Sequence, residues 1–470
     1  MTVRTAALAL ALLLAGCTSG DSSSTAARSS TSSVPAPTTT TALARATTPA
    51  CPAIPARANP DPSRPRYTLR ADVRPADGTV DGQLRVIFTP DLDTDRLVFR
   101  LWPNGPRSAP AAASLETSQV AVGGRPVTSM LEDPTTLVVG AGITFRARQP
   151  VEVSMAWQLR VPGSANDRIS RNGDSMRLGS FFPILPWEPG VGWATDPPAG
   201  GFAEASTAPT ADFDLTVVVP EGFDILASGA PDPARPGRFT ASAMRDVALS
   251  VGRFDTMSAV AMAPQPVQVT VGIHRGTVDS DGAKAYLDRV VGSMEDFGRR
   301  FGAYPWPTFT LAITPELGGG IEYPGHVMQG QNTNAVTSHE VGHQWFYGLV
   351  GNDQGRDPWL DEGLASWAEA RFEGRLERFK SRIIPPGAKG SVGEPMTFWA
   401  DKRPVYTDGV YVQGAQALAA LGDPVLVDCA LRVFVAVNAH RIARQPDLVR
   451  AAAAVFPDAD ATLSSYGVKG

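Results

Sequence analysis

Histidine is scarce in this chain, five among 470 residues, so two that fall at a functional spacing carry weight. Cysteine is scarcer still, three in all, which leaves room for a single disulfide and no framework of them. There is no basic excess: 42 Lys and Arg face 47 Asp and Glu, for a net charge of −5. That balance removes the electrostatic reason to expect a nucleic acid as partner. No internal repeat is visible, and beyond the first few residues no apolar run is long enough to cross a bilayer. What is present is the composition of an ordinary globular protein, 43% hydrophobic and 19% charged, with length for two or three domains.

The start of the chain is distinctive. Arg4 precedes an apolar stretch over residues 6–14 that is too short for a stable membrane span. It ends in Leu14-Ala15-Gly16-Cys17, which resembles the lipobox of bacterial lipoproteins. The resemblance implies a signal peptide over residues 1–16, cleavage after Gly16 and diacylglycerol on Cys17. The expected location is therefore the extracytoplasmic face of a cell membrane, with the lipid as anchor. Residues 17–60 begin with Ser, Thr, Ala and Pro in place of large apolar side chains. Such a segment cannot offset its ordering entropy by burial and reads as a disordered tether. Cys51 and Cys429 remain; outside the cytoplasm they either pair or stay as two thiols, one packed in a helix.

Residues 61–258 read as a β domain. Short β-branched or alternating runs at 67–73, 82–88, 96–101, 151–159, 213–219 and 248–254 are separated by turn-rich pieces. Many strands without intervening helices argue for a sandwich or a large curved sheet. No catalytic constellation stands out in this half, and its aromatic residues read as packing. Residues 259–470 differ: a strand at 267–273, then helical spacing over 281–301 that puts Tyr286, Val290, Met294 and Phe297 on one face. A strand at 309–313 and another opened by Gly318-Gly319-Gly320 follow. From Val336 nearly everything reads as helix, apart from a Gly- and Pro-rich loop over 384–395.

The chemistry is carried by His339-Glu340-Val341-Gly342-His343. A four-residue step on a helix is close to one turn, so both imidazoles can grip one ion. Glu340 stands about 100° round the helix, beside the ion, where it suits a base acting on the attacking water. A catalytic zinc needs a third protein ligand and an open position. Glu362, nineteen residues after His343 in Trp359-Leu360-Asp361-Glu362-Gly363-Leu364-Ala365, supplies it on a second helix. Gly363 is expected to let that helix approach the metal helix, and Asp361 to orient a ligating histidine from behind. Glu369 and Glu373 read as surface carboxylates.

These segments, with Gly319-Gly320-Ile321-Glu322-Tyr323 upstream and Tyr411-Val412-Gln413-Gly414-Ala415 downstream, resemble the membrane alanyl aminopeptidase family of gluzincins. The resemblance covers about residues 65–420. It implies an α+β multidomain chain: an N-terminal β-sandwich or saddle domain, then a thermolysin-like, mainly helical catalytic domain with a small sheet. It further implies one Zn2+ per chain on His339, His343 and Glu362, peptide substrates, and catalysis by Glu340. Glu322 then matches the carboxylate that takes the substrate's α-amino group. Gly319 and Gly320 leave backbone free for a peptide to pair along the strand. Tyr411 matches the hydroxyl that donates to the oxyanion; Tyr406, five residues earlier, is its rival. Ile321, Tyr323 and Gln413 stand where the family pattern has Met, Asn and Lys. Only about 60 residues follow Tyr411, so the resemblance implies a short member without the large C-terminal helical domain, its cleft more open.

The first reading is thus an extracytoplasmic, lipid-anchored zinc aminopeptidase. An endopeptidase or another small-substrate hydrolase at the same metal is the second, and a non-catalytic envelope scaffold the third. Preferred side chain and oligomeric state have no signature in the sequence.

Overall fold

In the strand Arg66–Arg74 the side chains of Tyr67, Leu69, Ala71 and Val73 are buried while the polar residues between them, Thr68, Arg70 and Asp72, face outward. A period of two is what a sheet with one covered face requires. The computed structural model describes residues 51–163, 165–198 and 207–470, so the signal segment, Cys17 and most of the expected tether lie outside the described residues. Arg66–Arg74 pairs antiparallel with Thr79–Phe88 and parallel with Ala211–Val218. These three lie inside an eight-stranded sheet that continues through Val151–Arg160 to Ser114–Val122 on one side and to Arg238–Met244 on the other. Gly82 pairs with Trp157, and a Cβ there would fall 2.0 Å from the indole, so only glycine leaves room for that ring. A three-stranded sheet (Leu97–Arg100, Thr136–Val139, Ser129–Asp133) and a four-stranded one (Asp224–Ala227, Leu249–Gly252, Ser175–Leu178, Ile169–Asn172) share its core. The N-terminal half is the sheet-rich domain expected.

The sheet changes at Arg253. The strand Phe254–Met262 pairs along its whole length with Pro266–His274 and belongs to a second, five-stranded sheet. A boundary at 258/259 therefore falls inside a strand. Thr308–Thr314 and His326–Gly330 continue that sheet in parallel, and the short antiparallel strand Gly320–Ile321 forms its edge. The helix Gly282–Phe301 covers the sheet with Tyr286, Val290, Met294 and Phe297 buried, the face that its spacing marked.

The remainder is mainly helical, with several short breaks besides the 384–395 loop. The helix Thr337–Gly342 gives way to turns, with Tyr347 at φ +111°, before Trp359–Phe372 begins. The reversal is stitched by a short parallel pairing of Gly351–Asn352 with Ile442–Ala443. Cys51 and Cys429 form a disulfide that ties the segment ahead of the first strand to the helix Pro424–Asn438. Ala58 adds a backbone bond to Ala436 of the same helix. All of this lies in one compact unit, Pro49–Gly470. Among the described residues no helix is long and apolar enough to cross a membrane.

Candidate active site

His339 sits on the helix Thr337–Gly342, and His343 still donates its N–H to the His339 carbonyl, so the two rings keep helical spacing. Glu362 arrives from the first turn of Trp359–Phe372. Nε2 of His339 lies 3.0 Å from Nε2 of His343 and 3.1 Å from a Glu362 oxygen, which is 3.4 Å from His343. Donors about 2.1 Å from a tetrahedral ion stand about 3.4 Å apart, so this triangle is the size of one face of a zinc site. The far nitrogens complete the case: Nδ1 of His343 is 2.5 Å from Asp361, and Nδ1 of His339 is 3.3 Å from Glu369. With both Nδ1–H groups donating to carboxylates, both Nε2 lone pairs aim at the same point, the orientation used for metal ligation. Burial opposes a proton on His339, yet Glu362 and Glu369 raise its pKa to about 10. The cluster is built to hold positive charge there, and the residues fit a zinc ion.

Two expectations change here. Glu369 is no surface group: it is mostly buried, lines the cleft and braces His339. It stands seven residues after Glu362, two turns along the same helix face, a signal the sequence did carry. Gly363 does not face the metal helix. Its Cβ position is 3.3 Å from Cα of Gly414, so it admits the helix Gln413–Ala420, while Gly342 meets Ala365 at 3.3 Å.

Glu340 is buried beside the triad, and its Oε2 has no hydrogen-bond partner among the described residues. Burial pushes its pKa above the usual carboxylate range, the direction that suits a group which takes a proton and returns it. Gly320 makes its space: a Cβ there would fall 2.3 Å from the Glu340 carboxyl carbon. Tyr411 lies in a π-helical turn, Asp408–Val412, a distortion frequent at functional sites. Its ring stacks 5.6 Å from that of His339, and its hydroxyl bonds to Glu362. Tyr406 also lines the cleft, its ring edge-on to that of Tyr411. Gln413 is buried and latches the 384–395 loop through Ala388 and Gly390.

The triad, Glu340 and Tyr411 line one cleft of about 340 Å³ together with Gly319, Gly320 and Glu322. A Glu322 oxygen lies within 4.8 Å of ligand atoms of His343 and Asp361. Gly319 has φ +89° and nothing near its Cβ position, leaving the edge open. Two wall residues, Arg107 and Arg168, come from the β domain, which the sequence reading had assigned no part in the site. No local pattern marks them; only the fold brings them to Glu322. The Tyr323 ring, by contrast, is buried behind the cleft rather than lining it.

Comparison with known proteins agrees with this geometry. Residues 299–449 match the Peptidase family M1 domain. The chain is similar to leukotriene A-4 hydrolase of Xenopus laevis, 36% identical over 110 residues, 21% of this chain and 18% of that protein. It is also similar to aminopeptidase M1-B of Oryza sativa subsp. japonica, 27% identical over 139 residues, 26% of this chain and 15% of that one. The matches thus span less than a fifth of these curated relatives. A crystal structure of an M1 zinc metallopeptidase from Deinococcus radiodurans shares the fold, with TM-score 0.63 and 18% identity over 86% of this chain and 93% of that one. A mutant of the Deinococcus protein, bound to a Tyr-Ser-Ala substrate, matches equally well: TM-score 0.63, 18% identity, 86% and 93% covered. Residues 299–449, which hold the whole metal triad, thus match the M1 peptidase domain, and the chain shares the fold of an M1 zinc metallopeptidase.

Proposed function

We propose that the protein is an aminopeptidase, removing residues from the free amino end of peptides. The observation that carries this reading is Glu322, a carboxylate in the metal cleft that is not one of the triad. An ammonium paired there would set the first peptide bond over the metal, and a blocked amine would lose the charged contact. His339, His343 and Glu362 would hold the zinc, which when bound would supply Lewis acidity toward the scissile carbonyl and the attacking water. Glu340 takes the water's proton and returns it to the leaving amine. Tyr411 donates to the oxygen on which charge develops. Gly319 and Gly320 offer backbone to the substrate strand.

Export and anchoring through lipid on Cys17 belong to the same proposal. They rest on the N-terminal sequence, and the Cys51–Cys429 disulfide is the chemistry of an oxidising compartment.

The test is digestion of an unblocked peptide panel by the zinc-loaded full chain, with and without chelator. Release of single amino acids from the amino end, abolished by chelator and restored by zinc, is expected. Internal fragments alone would favour an endopeptidase, and no hydrolysis of any peptide would favour a scaffold.

A further inference from the structure

Glu322 faces the metal cleft, and the turn that carries it is pinned from two directions. On the metal side, Gln344, next to His343, donates through Nε2 to the Tyr323 carbonyl at 3.2 Å and accepts the Gly325 N–H at 2.8 Å. On the β-domain side, the Tyr323 side chain enters a pocket in which every polar group has a direction. Arg168 donates to the Tyr323 oxygen at 3.4 Å, and that oxygen is 2.8 Å from Ser180 Oγ, which lies 3.5 Å from the Asp246 carboxylate. Burial raises the pKa of Asp246 to about 7; where it is ionised the carboxylate accepts while the guanidinium donates, so the phenol donates to Ser180 and Ser180 to Asp246. Asp246 is itself held by the Val247 N–H at 2.7 Å. The ring is placed as firmly as the hydroxyl: a Cβ on Gly179 would fall 2.4 Å from it, and Ser180 holds a left-handed backbone at φ +49°. The chain that ends at Tyr323 also opens on the cleft, which Arg168 lines with Glu322.

We propose that Tyr323, through Ser180, Arg168 and Asp246, is the positioning residue for Glu322, so that the β domain sets how well the site selects a free amino end. This rests on the aminopeptidase reading above. A buried, directional hydrogen-bond chain fixes geometry because each broken link strands a polar group. Tyr323 fixes the carboxylate's neighbour in sequence while Gln344 fixes the main chain just after it, at the Tyr323 carbonyl and the Gly325 N–H, leaving Glu322 little freedom to swing out of the cleft. The residue that stands in place of the family's Asn thus acts from behind the site, not within the cleft.

The experiment compares the zinc-loaded full chain with Tyr323→Phe and Ser180→Ala on one peptide with a free and with an N-acetylated amino end. Tyr323→Phe keeps the ring and removes only the hydroxyl. Its KM for the free peptide should rise about fivefold to tenfold with kcat nearly unchanged, the loss of one to two hydrogen bonds of binding. Activity on the acetylated peptide and zinc content should not move. Ser180→Ala should act in the same direction, and the double variant should cost less than the two single effects combined, because both break one link. Should Tyr323→Phe not fold, Ser180→Ala alone decides. Wild-type selectivity for the free amine that survives intact in the variants would overturn this inference. A wild type that does not distinguish the two peptides would instead overturn the aminopeptidase reading itself.

Discussion

At its metal end the cleft takes all three donors from one stretch of chain, His339 to Glu362, braced by Asp361 and Glu369 on the same second helix. At its other end Glu322 shares the cleft with Arg107 and Arg168, and its neighbour Tyr323 meets Ser180 behind it, side chains that come from the β domain and up to about two hundred residues away. Local spacing can specify the first arrangement, because two helix faces and a turn suffice. The second exists only once two sheets have docked. On the proposed function, binding a metal and choosing a substrate end should therefore be separable, each breakable without the other.

The largest separation is expected from Glu340→Gln, which keeps size and metal ligands but removes the proton acceptor. It should lower kcat by about a thousandfold, with zinc content by metal analysis unchanged. Asp361→Asn tests the brace behind the metal: His343 loses the carboxylate that fixes its tautomer, and zinc affinity measured by chelator competition should weaken about tenfold to a hundredfold. Preference for a free over a blocked amine should survive that change in fully zinc-loaded protein. The smallest effect is at the joint between the halves, where buried His326 spans Ser250 of the β domain and Thr310 of the catalytic sheet. Burial lowers its pKa to about 3, so the folded protein keeps it neutral while the unfolded chain protonates near 6.5. Stability should be full above pH 6.5 and fall as pH drops towards 3, by up to about 1.4 kcal/mol per unit from this group. Urea midpoints at pH 7 and 5 measure this, and His326→Gln should flatten the difference.

The same contrast explains what could be seen in the sequence. The His339–His343 step and the alternation of Arg66–Arg74 obey fixed periods, and Glu362 follows within one short reversal, so these were legible without coordinates. The strand Ser114–Val122 was not, since its burial pattern is irregular and shifts register between Ser118 and Ala121. Glu369 looked like a solvated helix charge because its partner, His339, lies on another element. Gly363 was read correctly as a close approach but assigned the wrong neighbour, for nothing local says which helix arrives there. Arg107 and Arg168 gave no signal, because a surface arginine and one buried against another domain look alike in sequence.

The central claim is that this metal cleft recognises a free amino end through Glu322. It is tested most directly by the ratio of kcat/KM for one peptide with a free and with an N-acetylated terminus, measured in wild type and in Glu322→Gln with equal zinc content. The account predicts a strong preference for the free amine in wild type that falls by about tenfold to a hundredfold in the variant, the worth of a charge-assisted contact. Equal ratios in the two proteins, or a wild type that prefers the acetylated peptide, would contradict it.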